Sequence, residues 1–307
     1  MSDFGHIPVL LDEVLEHLAP SSGSTAVDLT LGRGGHAQVM AEAVGPTGRL
    51  LGLDADLDNV NFSRNRLESQ GLRCTVVHDN FARVADVMSA EEAVADVVLA
   101  DLGVASIHLD QADRGFSMAA DGPLDMRLDR TRSHTAADLV NSMPEADLAN
   151  LIQRLGEEPF GRRIASKIAL SRLQGPITTT GQLRDLVLEA YGARAKASRR
   201  HPATRTFMAL RIAVNDELAA LDTLLARIES AAKGAGNGSW LAPGARVGII
   251  SFHSLEDRPV KRCFAGLVAQ GLGRLPHRSG IVPSDEEIAR NGRARSARLR
   301  ILELVHP

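Results

Sequence analysis

The chain has 307 residues, 44% of them hydrophobic, and its 35 Lys and Arg against 38 Asp and Glu give a formal net charge of −3. That length suits one large α/β domain plus a smaller unit, with a core of ordinary size. Two distant cysteines argue against a disulfide framework or a cysteine zinc site. No apolar run reaches the roughly eighteen residues of a membrane span, and Met1-Ser2-Asp3-Phe4 opens no signal peptide, so a cytoplasmic protein touching no membrane and holding no metal is expected.

In chain order, residues 25–29 read as a short apolar strand and 36–44 as a helix. A second strand at 49–54 precedes a polar helix from 56 to about 69, and further strands fall at 74–78 and 95–100. Short continuous apolar runs separated by helices predict a parallel sheet covered on both faces, the doubly wound α/β pattern. The alternation stops after Asp101. Residues 104–200 show only helical stretches, such as 146–155 and 162–173, and are expected to form an inserted helical domain. The core, begun at residues 1–103, then resumes over 201–307, with a helix from 204 to about 232 and a Gly-rich linker at 234–238. A fifth strand at 246–252 leads to a helix from 255 to about 269, and 298–304 alternates with period two, which predicts a terminal antiparallel edge strand.

Two basic stretches hide within the acidic average. Arg194, Lys196, Arg199, Arg200, Arg205 and Arg211 lie between Glu189 and Asp216 with no acid among them, and Arg290, Arg293, Arg295, Arg298 and Arg300 form a second run. Each is a solvated face or a contact for a polyanion, because a handful of phosphate contacts suffices to bind nucleic acid. With one Trp, one Tyr and 8 Phe, a broad aromatic stacking surface is not expected.

The loop Gly32-Arg33-Gly34-Gly35-His36-Ala37 follows the first strand and fits G-x-G-x-x-G/A. Such glycines let backbone approach either a dinucleotide or S-adenosylmethionine. Asp54, at the end of the second strand, offers a carboxylate to the ribose diol of either. Asp28, just before the loop, would repel a pyrophosphate and attract a sulfonium and an ammonium. Asp79-Asn80-Phe81 after the third strand and Asp101 after the fourth add acids, and an aromatic face for adenine, at the carboxyl edge where such sheets bind ligands. A positively charged cofactor suits this edge better than NAD, although each acid taken singly is also a helix cap.

Longer motifs sharpen this. Asp101-Leu102-Gly103-Val104-Ala105-Ser106, Arg114-Gly115-Phe116-Ser117, Gly122-Pro123-Leu124-Asp125-Met126-Arg127, His201-Pro202-Ala203-Thr204-Arg205-Thr206-Phe207, Ser251-Phe252-His253-Ser254-Leu255-Glu256-Asp257-Arg258 and Arg293-Ala294-Arg295-Ser296-Ala297 occur in that order. With the glycine loop, they make the chain, from His6 nearly to its end, resemble the bacterial small-subunit ribosomal RNA cytosine-N4-methyltransferases. The resemblance implies a Rossmann-like S-adenosylmethionine-dependent methyltransferase sheet with an inserted helical domain that recognises substrate. It implies methylation of the exocyclic N4 of a cytosine in the decoding region of 16S rRNA, in the context of the 30S subunit, and leaves a homodimer open.

It also maps a cofactor shell onto Gly34, Gly35, His36, Asp54, Phe81 and Asp101, with His108 where the family usually has glutamine. Ala105 replaces the commoner serine and Gly292 the usual proline. Many amino-methyltransferases carry an Asp/Asn-Pro-Pro-aromatic tetrad after the fourth strand. Asp101-Leu102-Gly103 stands there instead, so the group accepting hydrogen bonds from the target amine stays open among a backbone carbonyl, Asp125, His253 and Asp257. Arg114, Arg127, Arg199, Arg200, His201 and Arg205 are candidates for RNA contact, the alternatives being internal salt bridges for Arg114 and Arg127, a hydrogen-bond network for His201 and Arg205, and solvated surface for Arg199 and Arg200. A methyltransferase of protein or small molecules and a catalytically silent RNA-binding assembly factor are the remaining readings.

Overall fold

The structure is a computed structural model and describes residues 7–198, 201–234 and 239–305. The chain divides into two compact units, one of Met1–Gly103 with Leu218–Pro307, the other of Val104–Glu217. Among the described residues no helix is long and apolar enough to cross a membrane.

The first unit begins with α1 (Leu11–Leu18), β1 (Thr25–Asp28), α2 (Gly35–Val44), β2 (Arg49–Asp54), α3 (Leu57–Ser69), β3 (Cys74–His78), α4 (Val84–Ala90) and β4 (Ala95–Asp101). The second unit holds α5 (Ser106–Asp110), α6 (Ala136–Ser142), α7 (Glu145–Gly156), α8 (Gly161–Ser171), α9 (Thr180–Tyr191) and α10 (Thr204–Asn215). The chain continues through α11 (Glu217–Lys233), β5 (Leu241–Ser251), α12 (Ser254–Ala269), β6 (Gly273–Arg274), α13 (Asp285–Arg290) and β7 (Arg298–Leu304).

The seven strands form one sheet in the order β3-β2-β1-β4-β5-β7-β6. β1 to β5 run parallel and β7 antiparallel to β5. Alternate residues of each strand feed opposite faces. Val27, Leu51, Val98 and Ile249 join one apolar cluster with α4, α11 and α12, while Ala26, Leu50, Leu99 and Ile250 join another with α1 and α2. Both faces are therefore covered, as the continuous apolar runs predict. The strand order reverses at β1 and β4, and ligands of doubly wound sheets bind at the carboxyl ends beside that point.

Three expectations need correction. The single helix expected from 204 is two, because Asp216 adopts a left-handed conformation (φ 52°) between α10 and α11. The core was expected to resume at residue 201, whereas α10 packs on α6 and α7 and belongs to the second unit, which runs to Glu217. β7 is antiparallel but not at the edge, since the two-residue β6 pairs outside it.

In the second unit α7, α8, α9 and α10 pack around Ile152, Ile164, Val187 and Phe207. The segment between α5 and α6 is threaded through close backbone crossings. A Cβ on Gly122 would stand 1.9 Å from the Ala112 carbonyl oxygen. One on Gly115, at φ +75°, would stand 2.3 Å from that of Pro123. Only glycine fits there. Asn215 closes the loop, its amide donating to the Met126 carbonyl and its oxygen accepting from the Leu128 N–H.

Candidate active site

The glycine loop leaves β1 and is clamped from two sides. The Gly32 N–H donates to Asp54 Oδ2 at 2.7 Å, the Ser63 hydroxyl donates to the Gly32 carbonyl at 2.8 Å, and Arg66 donates to the Arg33 carbonyl at 2.9 Å. Gly34 (φ +77°) caps α2, and a Cβ on Gly35 would meet Pro8 Cγ at 2.5 Å. No side chain caps α2 and no acid occupies its first turn. Its positive end is thus left for an anionic group such as a ligand carboxylate. Asp54 does two jobs, because besides holding Gly32 its Oδ1 accepts the Asp56 N–H at 2.8 Å.

Among the described residues, two acids at this edge, Asp28 buried and Asp101 partly buried, face no cation. Asp28 is 1% exposed, its Oδ1 accepts the Thr30 N–H, and it makes no ion pair among the described residues. Burial and, secondarily, the charge of Asp54 push its carboxyl up to about 7. Asp101, at the end of β4, donates its backbone N–H to the Thr30 hydroxyl at 2.6 Å. Its side chain keeps 24% exposure, but Oδ1 is shut off from solvent with no hydrogen-bond partner among the described residues. Burial, then the charges of Asp28 and Glu256, hold its carboxyl well above the usual range.

His36 does not neutralise Asp101. Its Nε2 donates to the Val9 carbonyl at 2.9 Å, its Nδ1 lies 3.9 Å from Asp101 Oδ2, and burial pushes its pKa down to about 4. At neutral pH Nδ1 is an unprotonated nitrogen rather than a counter-charge. Buried acids with suppressed ionisation and an orphaned oxygen fit a ligand bringing positive charge, as a sulfonium and an ammonium would.

Phe81 lies half-buried in a 3-10 turn, Phe81–Arg83, leaning on the core. Asn80 caps that turn by accepting the Ala82 N–H, and Asp79 approaches Arg83 at 3.5 Å.

Comparisons with known proteins now bear on this edge. The family model for the MraW methylase family matches residues 3–305. The chain belongs to the MraW methylase family. Its relatives include the ribosomal RNA small subunit methyltransferase H of Geobacter sp. (strain M21), 44% identical over 99% of this chain and all of that protein. The protein of the same name from Geobacter sulfurreducens is 46% identical over 98% of this chain and 99% of its own. A solved SAM-dependent methyltransferase from Aquifex aeolicus aligns with 96% of this chain and 89% of its own at 10% identity and a TM-score of 0.37; the fold assignment rests on strand order instead. This MraW-family methylase is an enzyme, a methyltransferase.

The remaining candidates of this methylase fall into two groups. Asp257 is bound by Arg300, whose Nε and Nη2 donate to its two oxygens at 2.6 and 2.9 Å, with Arg298 at 3.9 Å. Asp125 is held likewise by Arg127 at 2.7 and 2.8 Å, and these bonds and the charge of Arg127 outweigh burial to lower its pKa. Both carboxylates thus serve internal ion pairs. Arg127 also donates to the Arg130 and Arg132 carbonyls, and buried Arg114 to those of Arg127 and Leu128, which spends both guanidinium groups on the fold. His108 is buried in the second unit with its ring 5.3 Å from Phe116. His201 is exposed, its Nδ1 accepting the Ala203 N–H, and Arg205 is exposed. Arg199 and Arg200 lie outside the described residues.

His253 differs. It follows β5, whose Ile250 pairs with Asp101, so it stands at the same sheet edge. Its side chain is 13% exposed, and Nε2 lies 3.2 Å from Glu256 Oε1 without the alignment of a hydrogen bond. Glu256, 3% exposed, accepts the Phe252 N–H at 2.8 Å and so fixes the turn that carries His253. Sequence reasoning missed Glu256. The available signal was an acid three residues after a histidine at a strand end, the spacing of one helical turn.

Proposed function

We propose that this methyltransferase acts on small-subunit ribosomal RNA, at the exocyclic N4 of a cytosine in the decoding region of 16S rRNA. The full-length match to proteins named ribosomal RNA small subunit methyltransferase H carries the substrate class, and the motif resemblance carries the atom and the region. The second unit recognises the RNA, the 30S subunit is its setting, and the cytoplasm its compartment.

S-adenosylmethionine, when bound, supplies an electrophilic methyl on a sulfonium. Gly34, Gly35 and the start of α2 receive its carboxylate, Asp28 and Asp101 its positive charges, Asp54 its ribose and Phe81 its adenine. His36 supports Asp101 from the side. A cytosine amine is a poor nucleophile, its lone pair being delocalised into the ring, so holding N4 in line with the methyl supplies much of the rate. Charge develops on N4 in the transition state, and an acceptor placed there stabilises it. His253, held at the sheet edge by Glu256, is that acceptor. The base must leave its stack to arrive.

The test is transfer of isotope-labelled methyl from S-adenosylmethionine to 30S subunits lacking this modification, followed by digestion to nucleosides. Label in N4-methylcytidine is expected. Label in another nucleoside, or none in RNA, refutes the reading. A solvated, non-catalytic role for His253 predicts unchanged turnover in His253→Ala; loss of kcat with S-adenosylmethionine affinity kept is the result this account requires.

A further inference from the structure

We propose that the second unit carries a stacking site for one RNA base, built from the Phe160 ring with the guanidinium groups of Arg163 and Arg194 beside it. The inference rests on the RNA substrate just proposed and adds a contact that the basic runs alone did not define.

The site begins with a buried carboxyl. Beyond α7 the chain turns at Glu157 (φ 47°), and Glu158 folds inward to 1% exposure. Its Oε1 accepts the Phe160 N–H at 2.9 Å and its Oε2 accepts the Tyr191 hydroxyl at 2.8 Å. Tyr191, at the end of α9, meets the Phe160 ring edge-on at 4.7 Å between centroids. The ring is fixed in position while remaining only half-buried. Arg194 places its guanidinium carbon 5.5 Å from the ring centroid and Arg163 at 5.9 Å, both inside the cation–π range.

Charge around the ring is unbalanced. Arg162, Arg163, Arg194 and Lys196 are exposed, and none makes a hydrogen bond or ion pair with another described residue. Other cations of the same unit do find acids, as in Arg130–Asp113, Arg132–Asp216, Arg184–Asp185 and Lys167–Glu189. Two such cations beside a fixed aromatic ring, with Arg162 and Lys196 close to them in sequence, match the chemistry of single-stranded RNA, whose phosphates take the charge and whose base takes the π face. An acidic peptide would use the cations and leave the ring idle.

The test uses the full-length protein and a fluorescein-labelled single-stranded fragment of 16S rRNA. Anisotropy gives its Kd across salt concentrations, and calorimetry gives S-adenosylmethionine affinity as the control. Phe160→Leu should raise the RNA Kd about five- to tenfold, in the range of one lost base stack, and leave the salt slope unchanged. Phe160→Tyr should restore affinity. The double reversal R163E/R194E should raise Kd more than tenfold and flatten the salt slope by the worth of about two phosphates. S-adenosylmethionine affinity should stay constant throughout. Wild-type RNA affinity in Phe160→Leu overturns the stacking site, even if charge reversal weakens binding, because an acidic partner would give that pattern. An unchanged slope in R163E/R194E overturns it as well. A wild-type protein that binds this RNA as described yet methylates none refutes the functional reading and not the stacking site.

Discussion

Binding of S-adenosylmethionine should weaken about tenfold between pH 8 and pH 6, and Asp28→Asn should flatten that response. Asp28 titrates at about 7 in the ligand-free protein, so its ionised fraction falls from about nine tenths at pH 8 to about one tenth at pH 6. A cationic ligand binds the ionised form and so draws that pKa downward, releasing a proton. Asp101, raised too, steepens the dependence, whereas His36 at about 4 stays neutral throughout this window. The same linkage acts on stability with a definite sign. A carboxyl whose pKa rises on folding, here from 3.8 to about 7, contributes stability at low pH that is lost as pH climbs between those values. Ligand-free Asp28→Asn should therefore melt higher than the parent at pH 8 and show no such gain near pH 4, while binding the cofactor more weakly at pH 8. Calorimetry at pH 6, 7 and 8 in two buffers of different ionisation enthalpy reads affinity and proton release together. A flat or inverted affinity profile, or identical profiles for parent and variant, would refute the reasoning.

Gly35→Ala drives a Cβ to 2.5 Å from Pro8 Cγ and should cost about 1–3 kcal/mol, read as a lower thermal midpoint together with weaker cofactor binding, since the glycine loop must shift. A variant as stable as the parent would show that Pro8 gives way freely. Asp257→Asn should lose about 2 kcal/mol by stripping charge from the Arg300 pair, with kcat kept at temperatures well below the melt. Intact stability with a collapsed kcat would return Asp257 to the reaction.

What could be read from sequence followed from whether the determining contact is local. The strands β1, β2 and β4 announce themselves because a parallel strand buried on both faces must be apolar throughout, and Val27, Leu51 and Val98 make it so. The break at Asp216 was not legible, because the helical pattern continues from α10 into α11 without a Gly or Pro. The two-residue β6 carries no periodicity at all. At the site, Asp28, Asp54 and Asp101 sit at strand ends and so declare their position. Asp257 looked equally well placed after β5, yet its partner Arg300 lies 43 residues away on β7, and only the antiparallel pairing of β5 with β7 brings the two together. Arg114 drew attention as a phosphate ligand for its charge, and burial against two backbone carbonyls gives that charge another use. The Phe160 site was equally hidden, because its ring comes from the α7–α8 turn and its cations from the first turn of α8 and from beyond α9.

The central claim is the atom methylated, and mass spectrometry of 16S rRNA from cells with and without this gene tests it most directly. The account predicts that one decoding-region cytidine loses a single methyl, at N4, and regains it when the gene is restored but not with Asp28→Asn at low cofactor supply. An unchanged methylation map, or a loss at a different atom, would contradict it.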